Sequence, residues 1–237
     1  MSAVEKRWPF FPIRGMVAGF ALVLGLTTVV ARATHTKEET DQPDTDIPAN
    51  VTAAPAANMS PKATLRAFDA ALPAGGMKAA EAAYYCTNDK ERRIAHVLAE
   101  VDLATARLEH NTRAAFGAAA VDALLHAARN VTLGDLQEAD EKIDGDQARI
   151  IWKAKLPAVP LIRVDGEWKV SIAALLKDVE PGATIEQIEL TERDVAAELQ
   201  KTADEVKIGK YANATLLQRA VSQRMYRVLG DEDEKSQ

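Results

Sequence analysis

The chain has 237 residues, of which 47% are hydrophobic and only 5% aromatic, and its net charge is −6. A hydrophobic fraction of this size supports a packed core and excludes a wholly disordered chain. An acidic chain repels the phosphate backbone, so we expect no nucleic acid partner. The single cysteine, Cys86, excludes an internal disulfide and any metal site built from several cysteines.

A hydrophobic segment without charges, Gly15 to Ala31, follows the basic residues Lys6, Arg7 and Arg14. Basic residues before an apolar run are typical of a secretory signal or a signal anchor, with the basic end left in the cytoplasm. The 17 residues span about 25 Å as a helix, slightly less than the ~30 Å hydrocarbon core of a bilayer. We therefore predict that residues 1–33 direct the rest of the chain out of the cytoplasm.

The flanks of this segment favour two different fates. Trp8, Phe10 and Phe11 lie before it, where aromatic side chains anchor a span at the membrane interface. Residues 31–33, Ala-Arg-Ala, match the small-x-small pattern that signal peptidases cleave. The first feature predicts a cell-envelope protein anchored in the membrane, with its folded part outside the cytoplasm. The second predicts a secreted or periplasmic protein after cleavage.

The segment that follows, residues 34–59, is rich in Thr, Asp, Pro, Ala and Asn and shows no hydrophobic periodicity. A segment of this composition cannot bury enough apolar surface to fold. We predict a disordered linker that holds the folded domain away from the membrane.

The folded region opens with a helix start signal, in which Ser60 occupies the N-cap position and Pro61 the first helical position. The Pro-Ala-Gly-Gly run at residues 73–76 interrupts the helical pattern that follows. A second short helix is predicted beyond it, at residues 77–84, because apolar residues recur there at helical spacing.

A long helix is predicted next. Asn88, with Glu91 three residues later, resembles a capping box, and the helical pattern continues to about Phe116, where Gly117 is a plausible cap. Its apolar residues form one narrow stripe: Ile94, Val97, Val101, Ala104 and Leu108. A further short helix is predicted over residues 121–128.

The hydrophobic period then changes from 3.6 to 2, which predicts β-strands. The first strand is predicted from Val131 to about Asp140, and a second over residues 148–154, where apolar and polar positions alternate. Asp165 and Gly166 lie between two apolar runs, which is typical of a β-hairpin. Four strands in sequential order predict an antiparallel sheet with one face covered by the preceding helices.

This order of helices followed by antiparallel strands, with the hairpin sequence VDGEWKV at residues 164–170, resembles the NTF2-like superfamily. The likeness covers residues 60–178 and is greatest to extracytoplasmic members of unknown function, in which a membrane segment precedes the domain. It implies an α+β fold in which helices pack on a curved antiparallel sheet to form a cone with a pocket inside. It implies no particular reaction, because this fold hosts both enzymes and binding modules.

A C-terminal helical arm is predicted over residues 179–230, followed by an acidic tail at 231–237. Thr191 and Asp194 are candidate caps for its first helix, and Asn213 for its second. Each helix carries an apolar stripe, so each must pack on the domain or on a partner. Intramolecular packing, self-association and docking of a protein partner are all compatible with this pattern.

Few residues combine into a pattern that carries chemistry. His96 and Glu100 lie one helical turn apart, but no third metal ligand follows at useful spacing. The acidic residues at 140–146 lack the spacing of a calcium-binding loop. The sequence contains no nucleophile-elbow, phosphate-loop or dinucleotide motif. We therefore predict no catalytic residues, no metal site and no cofactor.

Aromatic side chains are the best candidates to line a pocket, because a large face with one polar tip suits ligand contact: Tyr84, Tyr85, Trp152 and Trp168. The leading hypothesis is a non-enzymatic cell-envelope protein that binds a small apolar ligand or a protein partner through the NTF2-like domain. One alternative is a pocket enzyme of isomerase or hydratase type, which requires a carboxylate of raised pKa in a water-excluded cavity. The other is a scaffold protein that acts through the C-terminal helices.

Overall fold

A computed structural model describes four stretches of the chain, residues 59–127, 133–153, 157–179 and 183–230. The predicted export segment, almost all of the predicted linker and the acidic tail lie outside these ranges. Within them, no helix is both long enough and apolar enough to cross a membrane. The anchor and the cleaved signal therefore both stay predictions.

The described residues form helices and strands in an α+β arrangement, as predicted. The helices are α1 (Pro61–Ala82), α2 (Asp89–Phe116), α3 (Ala118–Ala127), α4 (Leu133–Glu138), α5 (Ile172–Lys177), α6 (Ile185–Lys207) and α7 (Ala214–Gly230). The strands are β1 (Tyr84–Tyr85), β2 (Asp140–Asp144), β3 (Gln147–Ile151), β4 (Val159–Val164) and β5 (Glu167–Ser171).

The five strands form one mixed sheet in the order β1-β5-β4-β3-β2. The strands β2 to β5 make a sequential antiparallel meander, which confirms that part of the prediction. The prediction of a wholly antiparallel sheet is wrong, because β1 pairs with β5 in parallel. This short strand lies between α1 and α2, and the Val170 N–H donates to the Ala83 carbonyl oxygen at 2.9 Å beside it.

The two faces of the sheet have different surroundings. Strand register places Tyr84, Val170, Leu161, Ala148 and Ile143 in one row across all five strands. All but the last are buried, and α1 contacts both β3 and β5, so this row belongs to the helix-covered face. Neighbouring residues along each strand point the opposite way, to what we call the outer face.

Local signals place the starts of the first two long helices where the sequence predicts them. Ser60 Oγ accepts the Ala63 N–H at 3.3 Å and caps α1. The predicted interruption of this helix is confirmed at Gly76, whose φ of 62° and ψ of −165° lie outside the helical region. The Asn88 side chain accepts the Glu91 N–H at 3.0 Å and caps α2.

The predicted first strand is placed too early. Residues 133–138 form helix α4, and β2 begins only at Asp140. The helical turn carries Leu136 into the core, where none of its surface is exposed. Because this short helix places a single large side chain in the core, its sequence needs no regular hydrophobic pattern. A prediction from hydrophobic periodicity therefore misassigns it as a strand.

The first helix of the C-terminal arm starts earlier than predicted. The Thr184 N–H donates to Gln187 Oε1 at 2.9 Å, and the Gln187 N–H donates to Thr184 Oγ1 at 3.2 Å. This complete capping box starts α6 at Ile185. The predicted caps Thr191 and Asp194 therefore lie inside the helix.

Helix α6 lies along α2 and makes the most extensive contact between two helices in the described residues. Near their starts, Arg93 Nε lies 2.8 Å from Glu189 Oε1, and near their ends Asn111 Nδ2 donates to the Ala203 carbonyl oxygen at 2.8 Å. The two helices therefore run parallel. The apolar stripe of α2 is buried, and so are six apolar residues of α6: Ile188, Val195, Ala196, Leu199, Ala203 and Val206. This part of the arm packs within the chain.

Candidate functional site

The four aromatic residues predicted to line a pocket occupy two environments. Tyr84, Trp152 and Trp168 are 5%, 5% and 3% exposed and belong to the same hydrophobic core. Tyr85 is half-buried, and because it follows Tyr84 in β1 it points to the outer face. The structure brings three of the four residues together and separates the fourth. Ligand binding at these positions stays a prediction.

The buried aromatic rings are held by defined contacts. Phe68 meets the Tyr84 ring edge to face, with ring centroids 6.5 Å apart. The Arg163 guanidinium lies over the Trp168 ring, 4.3 Å from its centroid. The indole Nε1 of Trp152 has no hydrogen-bond partner among the described residues. These rings therefore belong to the packed core of the described residues.

Beside this core lie four buried acidic residues, which we call the acid cluster: Asp69, Asp102, Glu109 and Glu192. Each is at most 1% exposed. They come from α1, α2 and α6, the three helices whose packing buries them. The Tyr84 hydroxyl donates a hydrogen bond of 2.6 Å to Asp102 Oδ2, which joins the aromatic core to the acid cluster.

Burial determines the protonation of the acid cluster. Loss of water raises the pKa of Asp102 to about 8, against the opposing effect of the hydrogen bond from Tyr84. Burial, then repulsion from Glu109 and Asp102, raises the pKa of Asp69 to about 9, although the nearby Arg113 lowers it. Burial and the Asp102 charge raise the pKa of Glu192 well above its usual range. Asp69, Asp102 and Glu192 are therefore mainly protonated at neutral pH.

The geometry of the acid cluster suits proton binding more than metal binding. Within the described residues, no three or more His, Cys, Asp or Glu side chains are arranged to hold a metal ion. The predicted pair of His96 and Glu100 lies on the surface, where His96 Nδ1 is 2.6 Å from Glu81 Oε1 and its Nε2 is 3.6 Å from Glu100 Oε1. The pair therefore belongs to a network of polar contacts on the surface.

A second candidate site is accessible to solvent. A cleft of about 870 Å³ opens on the outer face of the sheet. Strands β2, β3 and β4 form its floor, and helix α5 forms its wall through Ala173, Ala174 and Lys177. None of the four predicted aromatic residues lines it. We call it the outer-face cleft.

The floor and wall of the outer-face cleft carry three cationic side chains. Lys142 on β2 is directly opposite Arg149 on β3, so both side chains lie on the outer face. Lys177 on α5 lines the same cleft. Arg149 Nη2 lies 3.6 Å from Asp178 Oδ2, a loose ion pair at the end of α5. The lining also includes two acids, Glu141 and Asp144, and apolar residues, among them Ile162.

A third group of polar side chains connects the last two helices. Glu205 accepts hydrogen bonds from Lys210 Nζ at 2.6 Å, the Tyr211 hydroxyl at 2.5 Å and Arg224 Nη2 at 2.8 Å. Burial by itself would raise the pKa of Glu205, but these three donors outweigh it and lower the pKa to about 2. These contacts join α7 to α6. We call the group of Glu205, Lys210, Tyr211 and Arg224 the Glu205 clasp.

Sequence reasoning missed the acid cluster and the outer-face cleft. One signal for the acid cluster exists, since Asp102, Thr105, Glu109 and Thr112 recur at helical spacing immediately beside the apolar stripe of α2. Asp69 similarly follows Leu65 by one helical turn. The cleft has no comparable signal, because it depends on which residues the strand register places opposite each other.

No family model, curated protein or solved structure matches this chain. What the chain does must therefore be inferred from the outer-face cleft and the acid cluster themselves. The resemblance to the NTF2-like superfamily stays a prediction.

Proposed function

We propose that this chain is a non-enzymatic binding module of the cell envelope, and that it binds a protein partner in the outer-face cleft. One observation carries the proposal. The accessible cleft and the acids with raised pKa lie apart, because the cleft is open on the outer face whereas Asp69, Asp102 and Glu192 are sealed among helices. A partner can therefore contact the cleft, whose shape and charges it can complement. The carboxyl groups suited to proton transfer are shielded from solvent.

A protein partner fits the cleft better than a small apolar ligand does. The aromatic residues that would contact an apolar ligand, Tyr84, Trp152 and Trp168, are each at most 5% exposed and packed in the core. The outer-face cleft mixes charged and apolar residues and lies beside β2, the last strand of the sheet. A terminal strand and a mixed surface are features by which extended segments of other proteins are recognised.

The proposal includes an NTF2-like domain outside the cytoplasm. Its support is the helix-first order of elements, the meander from β2 to β5 and the basic and hydrophobic segment that opens the chain. The scaffold alternative has less support in α6, because six apolar residues of this helix are buried and the helix lies along α2, although Leu190 on α6 and Leu216 and Tyr226 on α7 are exposed.

The proposal is tested by photo-crosslinking the full chain in its own host membrane. A photoreactive residue at Ile162, on the cleft floor, should give an adduct with one defined protein, identified by mass spectrometry. The same residue at Leu190, 63% exposed on α6, is the control and should not give that adduct. Ala174→Trp fills the cleft from its wall and should abolish the adduct at position 162. Equal adducts at both positions, or an adduct unaffected by Ala174→Trp, would contradict the proposal.

A second candidate function is favoured by one specific contact. The pair of Tyr84 and Asp102 combines a hydroxyl donor with a buried acid whose pKa is about 8, which is the combination that an isomerase or hydratase requires. This candidate requires that the full chain bind and turn over an unsaturated ketone or a hydroxy acid. Turnover should then fall by at least a factor of about 100 in Asp102→Asn. Absence of any adduct with such compounds in native mass spectrometry would reject this candidate.

A further inference from the structure

We infer that the outer-face cleft recognises an acidic peptide segment of its partner, whose carboxylates are held by Lys142, Arg149 and Lys177. This inference rests on the proposed function, since it names the chemistry of the partner at the same cleft. It would also explain why a sheet tolerates two cations side by side at this position.

The strand register supplies the first argument. Lys142 and Arg149 are directly opposite partners in the antiparallel pair of β2 and β3. Side chains at such positions start about 5 Å apart on the same face, and like charges there destabilise the sheet. Asp140, two residues before Lys142 on the same face, has a partner of opposite charge, because Lys153 Nζ donates to Asp140 Oδ1 at 3.0 Å. Asp144, which also lies on this face and lines the cleft, is opposite the neutral Gln147, so Lys142 and Arg149 form the like-charged pair between these two strands.

In the described residues, the acids that line the cleft, Glu141 and Asp144, make no ion pair with these cations. Arg149 has only the loose contact with Asp178 at 3.6 Å. Within the described residues, neither Lys142 nor Lys177 makes an ion pair. The acid next to Lys142 in the chain, Glu141, is turned away, because its Oε1 accepts the Lys62 N–H at 3.0 Å at the start of α1. An anion from outside the chain would complete the site.

The surroundings favour a peptide over a free small anion. The cleft measures about 870 Å³, which is far more space than one carboxylate or phosphate needs. Apolar residues lie between the cations and offer contact for the side chains that separate acidic residues, notably Ile162 and Pro160 on the floor and Ala174 on the wall. The strand β2 ends the sheet, so its outer edge can pair with an extended segment.

The test measures binding of a defined peptide to the full chain purified in detergent. The probe is a fluorescent, end-capped hexapeptide of alternating Glu and Val, compared with the same peptide carrying Gln in place of Glu. We expect the Glu peptide to bind at least tenfold more tightly, with an affinity that falls as salt is added. Equal affinities for the two peptides would overturn the inference.

The cleft cations are tested by a triple variant, Lys142→Gln, Arg149→Gln and Lys177→Gln, which should weaken binding of the Glu peptide at least tenfold. The matched control replaces three exposed lysines outside the cleft, Lys78→Gln, Lys90→Gln and Lys207→Gln, and should change affinity less than twofold. An unchanged affinity in the cleft variant, or an equal loss in the control, would overturn the inference. Glutarate binding as tightly as the peptide would show a free-anion site instead of a peptide site.

If the triple variant does not fold, a single variant tests the same inference. Lys142→Glu turns the like-charged pair with Arg149 into an opposite-charged pair, so it should raise the thermal midpoint of the free protein while weakening binding of the Glu peptide. A lowered midpoint with unchanged binding would overturn the inference. A crosslink at Ile162 that persists in a cleft variant unable to bind the Glu peptide would preserve the proposed function and refute only the acidic partner.

Discussion

The acid cluster and the Glu205 clasp both bury carboxyl groups, but they leave those groups in opposite protonation states. Asp69 and Asp102 have pKa values raised to about 9 and about 8, whereas Glu205 has a pKa lowered to about 2. Burial acts in the same direction on all three carboxyl groups, since it disfavours the charged form. The difference lies in the partners and in the depth of burial, because Glu205 receives three donors and is 9% exposed, whereas Asp102 receives one donor and is 1% exposed.

The largest expected effect is the response of the whole protein to pH. An acid whose pKa is higher in the folded protein than in the unfolded chain lowers stability as pH rises between the two values. For Asp69 and Asp102 this window runs from about 4 to about 8 or 9. We expect the free energy of unfolding, measured by urea denaturation, to fall by at least about 2 kcal/mol between pH 5 and pH 8. A flat or rising profile over this range would show that the acid cluster is ionised in the folded protein.

The clasp should respond to mutation more strongly than any single residue of the acid cluster. Glu205→Gln leaves Arg224 and Lys210 without their shared counter-charge and should cost about 2–3 kcal/mol at pH 7. Because the folded pKa of Glu205 is lowered, its contribution is present above about pH 4.5 and is lost as pH falls towards 2. Urea denaturation of both proteins at pH 7 and pH 3 should therefore show a smaller difference at pH 3.

The opposite sign is expected inside the acid cluster. Asp69→Asn removes a group that favours the unfolded chain at alkaline pH, so this variant should be more stable than the wild-type protein by about 1–2 kcal/mol at pH 8. At pH 4 the two proteins should differ little, because the aspartate is protonated in the folded protein and only about half ionised in the unfolded chain. A variant that is less stable at pH 8 than at pH 4, relative to the wild-type protein, would contradict the raised pKa.

The smallest effect gives the most direct comparison, because the same atom is removed in both regions. Tyr84→Phe deletes the donor to Asp102, and Tyr211→Phe deletes one donor to Glu205. Each should cost about 1 kcal/mol at pH 6. At pH 9 the cost of Tyr84→Phe should grow, because the ionised Asp102 loses its only described donor, while that of Tyr211→Phe should not change. Equal pH profiles for the two variants would mean that Asp102 and Glu205 share one protonation state.

Features set by short stretches of chain could be predicted from the sequence. The caps at Ser60 and Asn88 and the hairpin at residues 165–166 are confirmed, because each depends on neighbouring residues alone. Strand β1 could not be predicted, since two residues carry no periodic pattern and pair only because β5 is beside them. The spacing of Thr184 and Gln187 in the sequence matches the capping box that starts α6. Thr191 and Asp194 are equally suitable caps when only the sequence is considered.

The candidate sites were less accessible to sequence reasoning than the fold. The acid cluster unites Asp69, Asp102 and Glu192, and nothing local indicates that three separate helices bury these residues together. The cations of the cleft were visible as residues, but their juxtaposition depends on the register that pairs Lys142 with Arg149. A shift of one residue in that register would send one of the two side chains to the opposite face.

The parallel pairing of α2 with α6 also sets the order in which the chain can fold during its synthesis. The buried stripe of α2 is complete once residue 116 has been made, but its partner is complete only at residue 207. At a synthesis rate of about 5–20 residues per second, this stripe waits roughly 5 to 20 s for its cover. During that interval the nascent chain exposes an apolar surface that a chaperone can bind or that a second chain can join. Premature termination between these two helices would release a fragment in which the apolar stripe of α2 lacks its cover.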